Sequence, residues 1–500
     1  MDDNLTLAID VGTGSVRAAL VDSAGRILVI AAQEHEQIVP QFGWSEQRPE
    51  DWWHGVVASI REVLNKVPDA HMRISAIAAC GQMHGTVLIG SGGELVRDTT
   101  PLWNDKRTID YVADFERTHE PKDYIADCAN PPAPAWPGFK LQWLRDNDPR
   151  AYEKTAAVLM PKDYINLRLT DEIAMDRTDG GASFLMDPRT GEWSDKMIGL
   201  LGLDRNKLAP LRDPLEFVGS VTAIAAEKTG LRQGTPVLVG GADYPVALLG
   251  SGVCTPGIGS EVMGTSAIIT AIAKQPLLNP SVCNVGTVEG NWGAFMLLES
   301  GGDAMRWARR AFHEKQFSYE DIVAKAAEAP PGSDRLFFMP YLAGERLGNH
   351  RNARAQFFGI GANHGLAHMH RAILEGVAFG VKRHINVLDA ISGAPLERII
   401  ASGGGTKTAL WMKIKASIYN IPVLVPAEAE CGIIGCGIMA TTATGRFADI
   451  NAAVEAHVSY VEEVMPDPKW VEVYAPMQDF FQKLYHHSQT LYDDLDGLSR

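Results

Sequence analysis

Leu5-Thr6-Leu7-Ala8-Ile9-Asp10-Val11-Gly12-Thr13-Gly14-Ser15 is the stretch from which the fold is read. Leu5, Leu7 and Ile9 alternate with smaller or polar residues, the period of a strand. The strand ends on an acid and enters a turn of Gly12, Thr13, Gly14 and Ser15. Glycine allows positive φ and lets a phosphate approach main-chain N–H groups, while Thr13 and Ser15 add hydroxyl donors. Asp10 beside such a cradle makes chemical sense with Mg²⁺ between acid and phosphate, because that ion takes hard oxygen ligands. An ordinary hairpin turn, built from the same residue types, is an equal reading of this stretch alone.

Outward from the turn, Val16 to Val21 is a second strand and Arg26 to Ala32 a third, joined by Asp22-Ser23-Ala24-Gly25, so the start is an antiparallel meander. Pro49-Glu50-Asp51 opens a helix running to about Leu64, with acids in the first turn as the helix dipole favours. Ile74 to Ala79 is an apolar strand ended by Gly81-Gln82-Met83-His84-Gly85. Pro131-Pro132-Ala133-Pro134, followed by Trp136 and Phe139, reads as a structured loop over a cleft. The pattern then restarts. Pro236 to Asp243 is a strand running into glycines and an acid, and Gly257 to Ile269 is strand, Gly264-Thr265-Ser266 turn, strand. Ile399 to Thr406 ends on Gly403-Gly404-Gly405, and Gly432 to Ala440 alternates Gly with larger residues, as close helix packing requires. The reading is a duplicated α/β unit, residues 1–245 and 246–500, each half opening with a hairpin whose turn faces a shared cleft.

The chain has 500 residues, too many for one ordinary core. A net charge of −15 argues against nucleic acid or an anionic membrane as principal partner. The six cysteines are scattered without a CxxC pair and read as reduced, buried thiols. There is no secretory signal pattern and no apolar run of membrane-spanning length, so a cytoplasmic setting is expected.

Taken in order, these segments resemble the FGGY carbohydrate kinases of the actin-like ATPase superfamily, most closely the xylulokinases. The resemblance rests on Asp10 to Ser15, Trp44-Ser45-Glu46-Gln47, Gln82-Met83-His84-Gly85, Trp103-Asn104-Asp105, Lys140 to Leu144 and Pro161-Lys162-Asp163-Tyr164. It continues through Gly240-Gly241-Ala242-Asp243, Met263 to Ser266, Pro340 to Arg346, Phe357 to Glu375 and Gly403 to Gly405. It implies two ribonuclease-H-like domains with ATP and a sugar in the cleft, and Mg²⁺-dependent transfer of the γ-phosphate to a sugar hydroxyl. Under it, Asp10 is the metal-side acid. Gly12, Thr13, Gly14, Ser15 and Arg17 hold phosphate from one half, and Gly264, Thr265 and Ser266 hold it from the other. Asp243 is the catalytic base, acting also on the sugar as a ligand. Gln82, Met83, His84, Trp103, Asn104 and Asp105 contact the sugar, and Gly403, Gly404 and Gly405 lie against adenine and ribose.

The chain departs from the xylulokinase pattern after the base, where Tyr244-Pro245 stands in place of the usual Asn; Tyr244 is expected to border the sugar. Leu347-Gly348 replaces a small residue and Pro, and Thr-Gly-Ser replaces Thr-Ser-Gly in the first turn. The expected activity is ATP-dependent phosphorylation of D-xylulose or a related ketopentose, with ribulose, a tetritol or a linear signalling sugar as alternatives. A homodimer is compatible with this reading. A non-catalytic actin-like ATPase switch is the alternative of another class, and the sugar base at Asp243 argues against it.

Overall fold

A computed structural model describes residues 4–313, 315–345 and 351–498. The Leu347-Gly348 departure and Arg346 fall outside them. Fourteen strands make two large sheets. The first contains β1 (Leu5–Val11), β2 (Ser15–Asp22), β3 (Ile27–Glu34), β4 (Ile74–Gly81), β5 (Phe217–Ser220), β6 (Pro236–Leu238) and β7 (Gly241–Ala242). The second contains β8 (Ile258–Met263), β9 (Ala267–Ala273), β10 (Cys283–Gly286), β11 (Trp292–Leu298), β12 (Arg398–Gly403), β13 (Val423–Pro426) and β14 (Tyr460–Val464).

The strand order is β3-β2-β1-β4-β6-β5 in the first sheet, with β7 also on β4, and β10-β11-β9-β8-β12-β13-β14 in the second. Strand directions match pair for pair. β1/β2, β2/β3 and β6/β5 are antiparallel, as are β8/β9, β9/β11 and β13/β14. β1/β4 and β4/β6 are parallel, as are β8/β12 and β12/β13. The duplication expected from the two Gly-Thr turns is therefore a duplication of topology, each turn joining the central strand of its sheet to the next.

The alternation in the opening strand sorts residues to two faces. Leu5, Leu7, Ile9 and Val11 join a core with Trp52, Trp53, Val56 and Ile60 of helix Pro49–Lys66. Ala8 points the other way and, with Ala19, Ala76 and Ala78, leaves a shallow face covered by Ile433, Ile434 and Ile438 of helix Cys431–Ala443. That helix comes from late in the sequence, so the end of the chain completes the core of its beginning. It crosses helix Asp243–Gly250 at glycine contacts. A Cβ on Gly250 would lie 1.8 Å from the Cys431 carbonyl oxygen, and one on Gly435 would lie 2.1 Å from that of Val246. Here glycine is a packing requirement.

The Pro-rich loop is buried at Pro131 and Pro132. Asn130 beside it donates to the Asn284 carbonyl at 3.0 Å and accepts from the Asn284 N–H at 2.7 Å, tying the loop to β10 in the second half. None of the six cysteines, all among the described residues, is in a disulfide, and five are buried. Among the described residues no helix is long and apolar enough to cross a membrane.

Candidate active site

Asp10 sits at the end of β1, in register with Arg17 of β2. Arg17 Nη1 lies 3.8 Å from Asp10 Oδ2 and 2.5 Å from Glu430 Oε2, so the guanidinium bridges the first sheet and the start of helix Cys431–Ala443. Burial raises the Asp10 carboxyl, with Arg17 opposing it. Gly432 lies above; a Cβ there would be 3.9 Å from Asp10 Oδ2. Asp10 Oδ1 accepts a weak bond from Cys80 Sγ at 3.7 Å, which leaves lone pairs for an outside cation. A hard carboxylate, partly exposed and undersupplied with donors, fits Mg²⁺.

The first turn is fixed from below. Thr13 Oγ1 donates to Gln82 Oε1 at 3.1 Å and accepts from Trp103 Nε1 at 3.0 Å. Gln47 Nε2 donates to the Thr13 carbonyl at 2.6 Å, and Gln47 Oε1 accepts from Trp52 Nε1 and Gln82 Nε2 at 3.0 and 2.8 Å. Among the described residues a Cβ on Gly14 would meet nothing within 4 Å, and the same holds for Gly264 and Gly404. No neighbouring atom demands glycine at these three places, and all three open onto free space.

Asp243 is the first residue of helix Asp243–Gly250, directly after β7. Its Oδ1 accepts from the Tyr244 N–H at 2.7 Å. Burial, with the Asp10 charge adding to it, pushes the carboxyl up to about 7. A carboxylate poised there takes a proton well at neutral pH.

On the sugar side, His84 follows β4 with φ of +67°, an uncommon conformation for a non-glycine residue. Its main-chain carbonyl accepts from Lys140 Nζ at 2.7 Å, and Lys140 is itself fully buried. His84 Nδ1 lies 3.0 Å from the Ala182 carbonyl, which only accepts, so Nδ1 carries the proton and Nε2 is left as an acceptor. Burial and the Lys140 charge hold the imidazole down at about 3, hence neutral. Trp136 meets the ring edge-on at 5.0 Å. Met83 is partly buried against the first core, and Trp103 is 44% exposed above Thr13.

Three of the residues expected at the sugar make hydrogen bonds within the protein. Asp105 is buried and engaged inside the protein. Its Oδ1 accepts from the Arg107 N–H and Nε at 2.9 and 2.8 Å, and its Oδ2 accepts from the Ser45 N–H and Arg107 Nη2 at 2.7 and 2.8 Å. Arg107 in turn pairs with Glu46 and lies over the Trp44 ring at 3.9 Å. Gln82 is buried and its amide is committed to Thr13 and Gln47, so it braces the turn. Tyr244 directs its hydroxyl to Thr270 of β9 and packs edge-on against Phe295 of β11 at 6.0 Å, so its side chain works as a contact between the two halves. Asn104 has a buried side-chain oxygen with no hydrogen-bond partner among the described residues.

In the second half, the Gly264 N–H donates to the Ser266 carbonyl at 2.9 Å. The Gly264 and Thr265 carbonyls accept from Gly302 and Asp303 N–H groups, each at 3.0 Å, at the start of helix Gly302–His313. Arg306 Nη2 reaches Thr265 Oγ1 at 3.3 Å. A cavity of about 300 Å³ adjoins, lined by Asp303, Arg306, Trp307, Arg310, Leu342 and Ala343. Its two arginines and aromatic wall suit an anionic ligand with a flat ring. In the triple-glycine turn, Gly403 has φ of +85°, and a Cβ on Gly405 would lie 2.7 Å from Met263 Cγ. Gly403 and Gly405 therefore serve the packing of the turn on β8, and Gly404 faces outward.

The structure thus gathers Asp10, Arg17 and Asp243 on one side, with Thr13, Gln82 and Trp103 beside them. It gathers Gly264, Thr265, Arg306 and the Gly403–Gly405 turn on the other. Gln47, Lys140, Arg306 and Glu430 were not assigned roles from sequence. Gln47 and Lys140 stood in segments that carried the resemblance, and Arg306 and Glu430 had no local signal.

Residues 5–250 match the FGGY family of carbohydrate kinases, N-terminal domain, and residues 259–444 match its C-terminal domain. The chain is 27% identical to the xylulose kinase of Lactococcus lactis, over 97% of each. It is 28% identical to the autoinducer-2 kinase of Klebsiella pneumoniae, covering 97% of this chain and 94% of that one. Among solved structures, the xylulose kinase from Rhodospirillum rubrum superposes with a TM-score of 0.90 at 27% identity, over 98% of this chain and 100% of the other.

Proposed function

Because the chain belongs to the FGGY family of carbohydrate kinases, we propose that it transfers the γ-phosphate of ATP to a hydroxyl of D-xylulose or a related ketopentose, with Asp243 as general base. The observation that carries this reading is Asp243 itself. It is a carboxyl at a helix start, raised to about 7 and close enough to feel the Asp10 charge. A sugar hydroxyl is a poor nucleophile until its proton has an acceptor. The hydroxyl oxygen forms a bond to the γ-phosphorus as the bond from phosphorus to the β,γ-bridging oxygen breaks. The hydroxyl proton goes to Asp243, and the products are a sugar phosphate and ADP. The transition state is loose, so positioning matters as much as proton removal.

The remaining residues take roles that follow from their surroundings. Asp10 would hold Mg²⁺, directly or through water, and the ion would supply charge neutralisation on the phosphates. The turns Gly12 to Ser15 and Gly264 to Ser266 form the two sides of a phosphate clamp through the donors left to them, since the Gly12 and Gly264 N–H groups and the Thr13 hydroxyl proton are already bonded within the protein. Arg17 leaves Glu430 for phosphate when nucleotide is bound. Nε2 of neutral His84 accepts from a sugar hydroxyl while Met83 lies along the carbon skeleton. Arg306, Trp307 and Arg310 extend the nucleotide side, where Gly404 meets adenine or ribose. Cleft closure brings the two sides together.

A kinase for a linear signalling sugar is the second reading, supported by the 28% identity to the autoinducer-2 kinase. ADP release on a panel of pentuloses, tetritols, hexuloses and linear diketone-derived sugars separates the two by their kcat/KM ratios. Asp10→Ala is expected to lose Mg²⁺-dependent turnover. Undiminished turnover in that variant would refute its metal role.

A further inference from the structure

Beneath the segment that carries Asp243 lies a buried polar chain with no part in the site as described so far. It starts at Lys162, whose ammonium pairs with Asp163, with Asp176 Oδ2 at 2.7 Å and with Asp179 Oδ2 at 3.6 Å; all four side chains are fully buried. Asp176 caps the short helix Arg177–Gly181, its Oδ1 accepting from the Thr178 N–H at 2.7 Å and the Asp179 N–H at 3.1 Å. Thr178 donates its one hydroxyl proton to the same Asp176 oxygen. That leaves the Thr178 oxygen lone pairs to accept, and they accept the Ala242 N–H at 2.9 Å.

Ala242 immediately precedes Asp243. Its segment has little freedom otherwise. Gly240 has φ of +80°, and a Cβ there would be 2.1 Å from the Ala79 carbonyl oxygen. Gly241 and Ala242 pair with Cys80 and Gly81 of β4. The β4 ladder holds the segment on one side and the Thr178 hydroxyl holds it on another. A carboxylate is an acceptor only, so the direction of each bond in the chain from Asp176 to Ala242 is fixed. A buried polar chain with one allowed sense of donation specifies a single backbone position.

We propose that Thr178 is a positioning residue, its hydroxyl locking the Ala242 N–H and so setting the carboxylate of Asp243 against the reacting hydroxyl. This rests on the assignment of Asp243 as base. Displacing a catalytic group by about 1 Å costs on the order of 100-fold in rate. Valine keeps the shape of Thr178 and removes the acceptor, and serine keeps the acceptor.

The test has two arms on the full chain. In the first, amide hydrogen exchange is followed at Ala242 without substrate. Thr178→Val and Thr178→Ala should each speed that exchange at least about tenfold, and Thr178→Ser should leave it near wild type. In the second, ADP release is measured with D-xylulose, or with the fastest sugar of the panel. T178V and T178A should lower kcat about 10- to 100-fold with the KM for ATP within about twofold, and T178S should restore kcat to within about threefold. On an Asp243→Asn background, T178V should cost nothing further, because both changes act through one group. Unchanged Ala242 exchange in T178V and T178A overturns the proposal. So does faster exchange with wild-type kcat, or an equal loss on the D243N background. Wild-type turnover in D243N alone overturns the base assignment instead, and the exchange arm still decides the Thr178–Ala242 bond.

Discussion

Asp243 should cost the folded protein stability for the sake of the chemistry, and the cost can be worked from its surroundings. Burial and the Asp10 charge move its carboxyl from 3.8 to about 7. The folded state therefore holds the proton at pH values where the unfolded chain has lost it. Stability is intact below the unfolded value, falls as pH rises from about 4 to about 7, and stays low above that. The full shift corresponds to about 4 kcal/mol at pH 8, about 2 kcal/mol at pH 5 and almost none at pH 3. Asp243→Asn keeps the size, cannot ionise and removes this cost. At about 2.1 cal/mol/K per residue, and for a cooperative unit between half the chain and all of it, 4 kcal/mol is a rise of about 4–8 °C in Tm at pH 8. The assay is differential scanning calorimetry of wild type and D243N at pH 5 and pH 8. A D243N Tm equal to or below wild type at pH 8, or a gain that shrinks from pH 5 to pH 8, would refute the electrostatic description of the site.

Three other outcomes are expected. The kcat of the wild type should rise with pH through an acid limb near 7, as Asp243 loses its proton, and a flat profile between pH 5.5 and 8 would exclude that group as base. Gly435→Ala places a Cβ 2.1 Å from the Val246 carbonyl oxygen, so it should destabilise by at least about 2 kcal/mol in thermal melts despite the better helix propensity of alanine. Asp105→Asn removes the charge that Arg107 needs in a buried site, so it should destabilise by about 2–4 kcal/mol while leaving the sugar KM within about twofold; a large rise in KM would return Asp105 to the sugar site.

The paired hairpins were legible because strand alternation and Gly-Thr turns are local signals. Leu5, Leu7 and Ile9 declare one face and Ala8 the other, and the same grammar recurs around Gly264. What could not be read is partnership across long separations. Asp105 looks like a ligand beside Trp103 until Ser45 and Glu46, some sixty positions earlier, close around it with Arg107. Gln82 looks free until Gln47 takes its amide. Tyr244 follows the base in sequence, and nothing local shows that its hydroxyl meets Thr270 of the second sheet. Lys140 and Lys162 carry no local mark of burial, since lysine is ordinarily a surface residue. Their importance shows only when a carbonyl at His84 or a carboxylate at Asp176 is seen to face them. The small residues at Gly432, Gly435 and Gly437 did announce close packing, though not that Gly432 and Gly437 approach the first sheet and Gly435 the helix Asp243–Gly250.

The most direct measurement is ADP release by wild type and Asp243→Ala at saturating Mg²⁺ and ATP, with and without D-xylulose and the related sugars, alongside calorimetric titration of ATP into both proteins. Turnover by the wild type that depends on a sugar, lost by at least about 100-fold in D243A with ATP affinity retained, is the predicted result. ATP turnover that no sugar raises, or a D243A variant that phosphorylates as fast as wild type, would contradict the assignment of a sugar kinase with its base at Asp243.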